Sequence, residues 1–172
     1  MIGKGLHLPD GREDIDPNFQ HYNKSNIPLD ENKDRKVSLV AGEGFGLKSP
    51  VVTSSPLVFA SIEAKTNFEF DFKPLSFEMA VFLINGSAKI GEEEILENQM
   101  LAFEPKTLPR IKVSQGSHLV LLGGEPFATP RHIWWNLVSS SREKIEEAKL
   151  QWKTGVFPMV PGETEFIPLP NQ

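Results

Sequence analysis

Between residues 37 and 124 the chain is divided into short apolar runs closed by glycine, proline or asparagine, and this pattern most constrains the fold. Runs of this length are too short for ordinary helices and are typical of strands. Eight strands are predicted: Val37–Val40, Leu57–Ala64, Phe68–Phe72, Met79–Ile84, Ser87–Ile90, Met100–Phe103, Arg110–Val113 and Leu119–Leu122. Strands so closely spaced indicate an antiparallel sandwich or barrel.

Two local patterns add detail to this barrel. In Phe68–Phe72 phenylalanines alternate with acids, which puts three rings on one face of the strand. Asn85 and Gly86 lie between two apolar runs and predict a hairpin turn, because both residues tolerate positive φ. A small-molecule ligand in the barrel mouth would contact phenylalanines, and the candidates are Phe68, Phe70, Phe72 and Phe82.

One helix is predicted near residues 140–153. Ser140 and Glu143 have the spacing of a capping box, and Gly155 is placed to end the helix. Ile145 and Trp152 fall on one apolar stripe. The chain is therefore expected to contain three segments. They are a polar arm at 1–36, the barrel at 37–124, and a strand, helix and extended tail at 125–172 that pack on the barrel.

Composition excludes several classes of function. The net charge of −5 and the lack of a basic cluster argue against binding to nucleic acid or to anionic membranes. The absence of cysteine excludes disulfides and cysteine-ligated metals. No apolar run approaches the roughly 20 residues of a membrane helix, and the start lacks the apolar stretch of a signal peptide. A cytoplasmic location is predicted.

Histidines are too few and too scattered for a typical metal site. The four are His7, His21, His118 and His132, so the segment from 22 to 117 contains none. A mononuclear iron, copper or nickel site normally needs two or three imidazoles that converge with a carboxylate. No metal or other cofactor is therefore predicted. The serines at 139–141 are interpreted as helix caps and the glycines at 42–46 as turn residues.

The adjacent tryptophans of the stretch Arg131–Asn136 stand out. Neighbouring residues on a strand point to opposite faces, so one of Trp134 and Trp135 can enter the core. The other ring must cover the arm, the helix, another domain or a ligand. The candidate pocket or interface residues are Phe82, Arg110, His132, Trp134 and Trp135.

Several stretches resemble one known family. Leu122-Gly-Gly-Glu-Pro-Phe, the stretch from Pro130 to Lys149, Trp152-Lys-Thr-Gly-Val-Phe and Glu165-Phe-Ile-Pro-Leu-Pro are similar to the C-terminal half of pirin-family proteins. Upstream, the stretch from Glu13 to Tyr22 and Leu39-Val-Ala-Gly-Glu-Gly-Phe-Gly resemble that family's inter-domain segment and the entry to its second barrel. The resemblance covers nearly the whole chain.

The resemblance implies a mainly β fold, a cupin (RmlC-like jelly-roll) antiparallel β-barrel with one C-terminal helix. Pirins are two-domain cupins whose metal, usually iron, is held by three histidines and a glutamate in the N-terminal barrel. The corresponding cupin positions would fall near Lys73, Leu75 and Met79, and near Pro109 or Arg110. None of these residues is the expected ligand.

The expected function is therefore that of a metal-free, pirin-C-terminal-like cupin domain, acting as a binding or assembly module. A barrel that normally faces a sister domain exposes an apolar face when alone, so pairing into a homodimer is predicted. Two alternatives stay open. One is a quercetinase-like, metal-dependent dioxygenase with an atypical site drawn from His118, His132 and carboxylates. The other is a regulator that acts through protein contacts.

Overall fold

The computed structural model describes residues 8–16, 18–72, 77–103, 110–157, 162 and 164–170. The chain divides into two compact units. The barrel unit is Asp16–Pro126, and the terminal unit combines Met1–Ile15 with Phe127–Gln172. Strands build the first unit, and a hairpin with a helix builds the second.

Two antiparallel sheets form the barrel unit. Its strands are β1 (Leu29–Glu31), β2 (Arg35–Gly44), β3 (Leu47–Lys48), β4 (Leu57–Ala64), β5 (Phe68–Asp71), β6 (Glu78–Asn85), β7 (Ala88–Ile90), β8 (Glu93–Ile95), β9 (Met100–Phe103), β10 (Arg110–Val113) and β11 (His118–Gly124). Seven of them form one sheet in the order β1-β2-β4-β11-β6-β9, with β3 paired to β2. The other sheet has the order β5-β10-β7-β8. The predicted antiparallel sandwich is confirmed.

The hydrophobic core lies between these two sheets. Alternate residues of each strand enter it, and the largest fully buried side chains include Leu39, Ile62, Leu83, Ile111, Leu119 and Leu121. Phe70 is buried beside them, while Phe68 and Phe72 pack partly exposed against the core. The prediction that these three phenylalanines share one face is confirmed.

The hairpin predicted at Asn85 and Gly86 is wrong, because β6 and β7 belong to different sheets. The turn instead carries the chain from one sheet to the other. Gly86 has φ +85°, and a Cβ there would lie 2.7 Å from the backbone of Ser117. The Ser87 N–H donates to the Ser117 hydroxyl at 2.9 Å, which fixes the corner. Glycine is needed here for a close approach between two loops.

The sheet begins within the segment that was predicted to be a polar arm. Strand β1 pairs with β2 through Asp30 and Val37, and β2 starts at Arg35. Asp30 also accepts an ion-pair contact from the Arg35 guanidinium at 3.5 Å. Polar residues form this edge because an outer strand has one side in water.

The terminal unit contains the hairpin of β12 (His132–Trp134) and β13 (Leu137–Ser139), followed by α1 (Arg142–Lys153). The predicted N-cap, Ser140, is wrong by one residue. Ser141 caps the helix by accepting a hydrogen bond from the Lys144 N–H, because the Ser140 N–H and hydroxyl are already bonded to Glu13.

The predicted end of the helix is confirmed. Gly155 has φ +71°, and its N–H donates a hydrogen bond to the Trp152 carbonyl. The Val156 N–H donates one to the Gln151 carbonyl. These two hydrogen bonds are those of a Schellman motif, which satisfies the last carbonyls of a helix. Within the described residues, no helix is both long enough and apolar enough to span a membrane.

Candidate functional site

The structure separates the five candidate site residues. His132, Trp134 and Trp135 lie together in the terminal unit, on or beside the hairpin. Phe82 and Arg110 lie in the barrel unit, on β6 of the seven-stranded sheet and β10 of the four-stranded sheet. The five residues therefore belong to different units.

Apolar side chains fill the barrel interior where the structure describes it. Met79 is the described member of the first group of cupin-ligand positions, and its side chain lies in the core at 3% exposure. Lys73, Leu75 and Pro109 lie outside the described residues. His118 lies on the outer face of β11, where its Nε2 is 2.7 Å from the Ser61 hydroxyl. Among the described residues, no three His, Asp or Glu side chains converge as a metal site.

The outer face of the seven-stranded sheet is apolar on its last three strands, β11, β6 and β9, while Ser61 and Ser38 face outward on the adjoining β4 and β2. Because Val81 and Leu83 point into the core, Phe82 between them points outward. In one row across the sheet, Phe82 is in register with Val120 and Met100. The next row consists of Phe59, Leu122, Ala80 and Ala102. Phe82 is half-buried and Met100 is 41% exposed. Phe82 is therefore not in the barrel mouth with the other phenylalanines.

The outer face of the four-stranded sheet is charged instead. One row across it is formed by Glu69, Lys112, Lys89 and Glu94. Arg110 lies beside this row, with its guanidinium 3.3 Å from the Glu69 carboxylate and 3.6 Å from that of Asp71. A shallow groove of about 630 Å³ follows the same face and includes Asn67 and Ser114 in its lining. Arg110 therefore belongs to a solvated network of ion pairs.

A cluster of aromatic rings is exposed on the terminal unit. Trp135 is not on the strand, as the sequence suggested, but in the turn after it with φ +52°. Its ring stands edge-on to Trp152 of α1, with 5.2 Å between centroids. Phe157 and Phe166 contact the same Trp152 ring at 5.6 and 6.1 Å. This tryptophan–phenylalanine cluster is a surface feature, since Trp135 remains 40% exposed.

The second tryptophan has a different environment. Trp134 is half-buried, and the Lys149 ammonium lies 4.3 Å from the centre of its ring. This cation–π contact links β12 to α1. His132 opens the same strand and pairs with Ser139 across the hairpin. Trp134 and His132 therefore stabilise the hairpin, and Trp135 faces outward.

A buried polar cluster holds the start of the chain in the terminal unit. The Arg131 side chain is only 6% exposed, and its guanidinium binds the Asp10 carboxylate at 2.6 Å and the Leu8 carbonyl at 3.0 Å. Glu13 accepts hydrogen bonds from the Ser140 N–H and the Ser139 hydroxyl, both at 2.8 Å. Sequence reasoning missed this cluster because its members are more than 115 residues apart and have no periodicity.

The two acids of this cluster are held in their ionised forms. Burial alone would raise the pKa of Glu13, but the hydrogen bonds from Ser140 and Ser139 outweigh it and lower the pKa below the ordinary value. The hydrogen bond from Thr129 and the nearby Arg131 guanidinium lower the pKa of Asp10. Both carboxylates are therefore ionised at neutral pH, and in that form they stabilise the terminal unit.

Proteins of one family match most of this chain. The family model of the pirin C-terminal cupin domain matches residues 58–158. A pirin-like protein of Caulobacter vibrioides is 39% identical over 95% of this chain and 57% of its own length. A putative quercetin 2,3-dioxygenase of Pseudomonas aeruginosa is 26% identical over 87% of this chain and 48% of its own length.

A solved structure supports the same assignment. The crystal structure of quercetin 2,3-dioxygenase from Acinetobacter baumannii is 28% identical and superposes with a TM-score of 0.85, over 96% of this chain and 56% of that one. The cupin fold is therefore confirmed. The chain spans about half the length of the curated relatives it matches.

Proposed function

This chain belongs to the pirin family, and on that premise we propose that it is a metal-free C-terminal cupin domain that acts as a binding and assembly module. Its partner is a second copy of itself. The contact surface is the apolar outer face of the seven-stranded sheet, centred on Phe82.

The contrast between the two outer faces carries this proposal. An antiparallel sheet with one face in water normally alternates apolar residues inside with polar residues outside. The four-stranded sheet follows this rule, with Glu69 and Lys112 outward. The seven-stranded sheet breaks it on β11, β6 and β9, where Val120, Phe82 and Met100 point outward, while Ser61 of the neighbouring β4 follows the rule. Apolar surface left in water costs about 25 cal/mol per Å², so a face of this kind favours association.

The histidine distribution supports the metal-free part of the proposal. The sequence has no histidine between residues 22 and 117, and His118 lies outside the barrel on Ser61. The described interior is filled by aliphatic side chains such as Leu83 and Leu121. Side chains of this kind do not bind divalent cations, so the described part of the interior offers no ligand for one.

Light scattering of the purified chain tests the assembly. We expect a mass near twice 19.2 kDa, because pairing through the apolar outer face removes that face from water. Phe82→Glu or Met100→Lys places a charge in the contact and is expected to give a monomer. Lys112→Glu is the matched control on the charged face and is expected to stay dimeric. A native chain of 19.2 kDa, or a Phe82→Glu variant that stays dimeric, would overturn the proposal.

The competing function is that of a metal-dependent dioxygenase of the quercetinase type, and the names of two relatives favour it. Elemental analysis and flavonol oxidation under oxygen distinguish the two. The proposal predicts far less than one metal ion per chain and no flavonol oxidation. One metal per chain that is lost in His118→Ala or His132→Ala, together with flavonol turnover, would establish the dioxygenase. A regulator that binds another protein would instead stay monomeric and lack both properties.

A further inference from the structure

The last described segment of the chain, residues 164–170, is neither helix nor strand and contacts Trp152 of α1. We call this segment the tail. The Trp152 indole N–H donates a hydrogen bond of 2.9 Å to the main-chain carbonyl of Ile167. The Phe166 ring packs on the Trp152 ring with a centroid distance of 6.1 Å. An aromatic surface thus holds the tail backbone through one of its carbonyls.

The tail sequence favours an extended conformation before any contact forms. Ile167 and Leu169 each precede a proline, which disfavours the helical region for them, and Pro168 and Pro170 have a fixed φ. Extended polyproline-type backbone makes no internal hydrogen bonds, so its carbonyls are free to accept. Binding such a segment costs less conformational entropy than ordering a flexible one.

The surface under the tail has the components of a polyproline-binding groove. Trp135 and Phe157 pack against the Trp152 ring, and the Trp152 N–H supplies the donor to the tail. Domains that recognise proline-rich peptides use aromatic grooves of this kind. Because the donor binds a main-chain carbonyl, it does not require the Ile167 side chain. We call the surface formed by these three rings the tail groove.

The tail is held weakly in this groove. Phe166 is 50% exposed and Ile167 is 60% exposed, so most of their apolar surface stays in water. Leu169 is the one half-buried residue of the described tail, and the Trp152 side chain adds one hydrogen bond and one ring contact. A segment with the same chemistry and a few more contacts would therefore displace it.

We propose that the tail groove is a recognition site for an extended, proline-containing segment of another protein, and that the chain's own tail is its resident competitor. This inference goes beyond the proposed function, because the groove belongs to the terminal unit and the proposed dimer face to the barrel unit. The recognised segment carries an aromatic or aliphatic residue followed by proline, as Phe166-Ile-Pro does.

The experiment uses the full chain and a fluorescently labelled peptide that copies residues 164–170. Fluorescence anisotropy measures its affinity for the native chain and for Phe166→Ala. The variant weakens the resident tail by removing a ring contact, and we expect it to bind the peptide about fivefold more tightly than the native chain does. A peptide with alanine at both prolines is expected to bind more weakly to the same variant.

A second substitution tests the groove itself. Trp152→Phe, added to Phe166→Ala, keeps a ring but removes the indole donor, and the affinity for the peptide should fall about fivefold. Leu150→Ala in the same background is the matched control, because Leu150 is an exposed apolar residue of the same helix, and its affinity should not change. If Trp152→Phe loses the native circular dichroism, Phe157→Ala with the indole retained replaces it and should weaken binding.

Three results would overturn the inference. One is equal affinity of the native chain and Phe166→Ala for the peptide. Another is undiminished binding of the peptide without prolines. The third is peptide binding that disappears as the concentration of the native chain rises, because the occupant would then be the tail of a second copy rather than a segment of another protein.

Discussion

Removal of the Glu13 carboxylate should loosen the terminal unit specifically. The carboxylate is 12% exposed and accepts hydrogen bonds from Ser140 N–H and the Ser139 hydroxyl, while Arg131 Nε lies 3.6 Å away. Each buried donor left unpaired costs about 1–3 kcal/mol. Glu13→Ala is therefore expected to lower the free energy of unfolding by about 3 kcal/mol, because water can replace only some of the hydrogen bonds that the carboxylate accepts. Glu13→Gln keeps one acceptor and should cost about half as much.

Urea denaturation followed by tryptophan fluorescence measures the loss of stability in the terminal unit itself. All three tryptophans, Trp134, Trp135 and Trp152, lie in the terminal unit with Glu13. With a slope of about 2 kcal/mol per M urea, a loss of about 3 kcal/mol lowers the midpoint by about 1.5 M. Far-UV circular dichroism of the strands, which come mainly from the barrel unit, should change less.

The same comparison has a predicted pH dependence. The pKa of Glu13 is lower in the folded chain than in the unfolded chain, so the unfolded chain takes up the proton first as the pH falls. The contribution of the ionised Glu13 to stability is therefore complete above the unfolded pKa near 4.5. It is lost as the pH drops through the lower pKa of the folded chain. The midpoints of the native chain and Glu13→Gln should converge as the pH falls below about 4.5.

The control for this series is Asp14→Asn. Asp14 is the next residue, is 83% exposed, and pairs with Lys144 at 2.7 Å. An exposed pair contributes little, so the midpoint should stay at the native value. The reasoning fails if Asp14→Asn loses as much stability as Glu13→Gln. It also fails if the difference between the native chain and Glu13→Gln is the same at pH 3 as at pH 7.

Three further substitutions follow from the local geometry. Gly42→Ala should prevent folding of the barrel unit, seen as lost strand signal in circular dichroism, because a Cβ there would lie 1.7 Å from the Leu57 carbonyl. Ser141→Ala removes the cap on the Lys144 N–H and should cost about 1 kcal/mol in urea denaturation, while Ser141→Asp should retain it. Arg110→Ala should leave the thermal midpoint unchanged, because its ion pairs are exposed.

The strands were predictable because their signal is local. Alternation in Phe68–Phe72 and the short apolar runs require only neighbouring residues, and the structure contains a strand at each predicted place. The hairpin prediction at Asn85 and Gly86 was wrong because the same dipeptide occurs both in hairpins and in corners between two sheets. The contact of Gly86 with Ser117 favours the corner. The predicted N-cap at Ser140 was wrong for a similar reason, since a distant residue, Glu13, binds the Ser140 N–H.

The polar cluster and the tail groove could not be read from the sequence. The sequence presents Glu13 as one of several acids in a turn-rich segment, and its bond to Ser139 spans 126 residues. Trp152 was interpreted as part of an apolar helix stripe, which describes its position but not the Ile167 carbonyl that it binds. Contacts of this kind depend on where two distant segments meet, so only the folded chain reveals them.

The direction of Phe82 shows where sequence periodicity stops being informative and why that matters for function. Five successive residues from Met79 to Leu83 are apolar, so alternation is missing and neither face can be assigned to the core. The structure buries Val81 and Leu83, so their face of the strand is the core face and Phe82 lies on the outer face. A strand that is apolar on both faces belongs to a sheet covered on both faces. Under the proposed pairing, a second copy of the chain provides that cover for the outer face around Phe82.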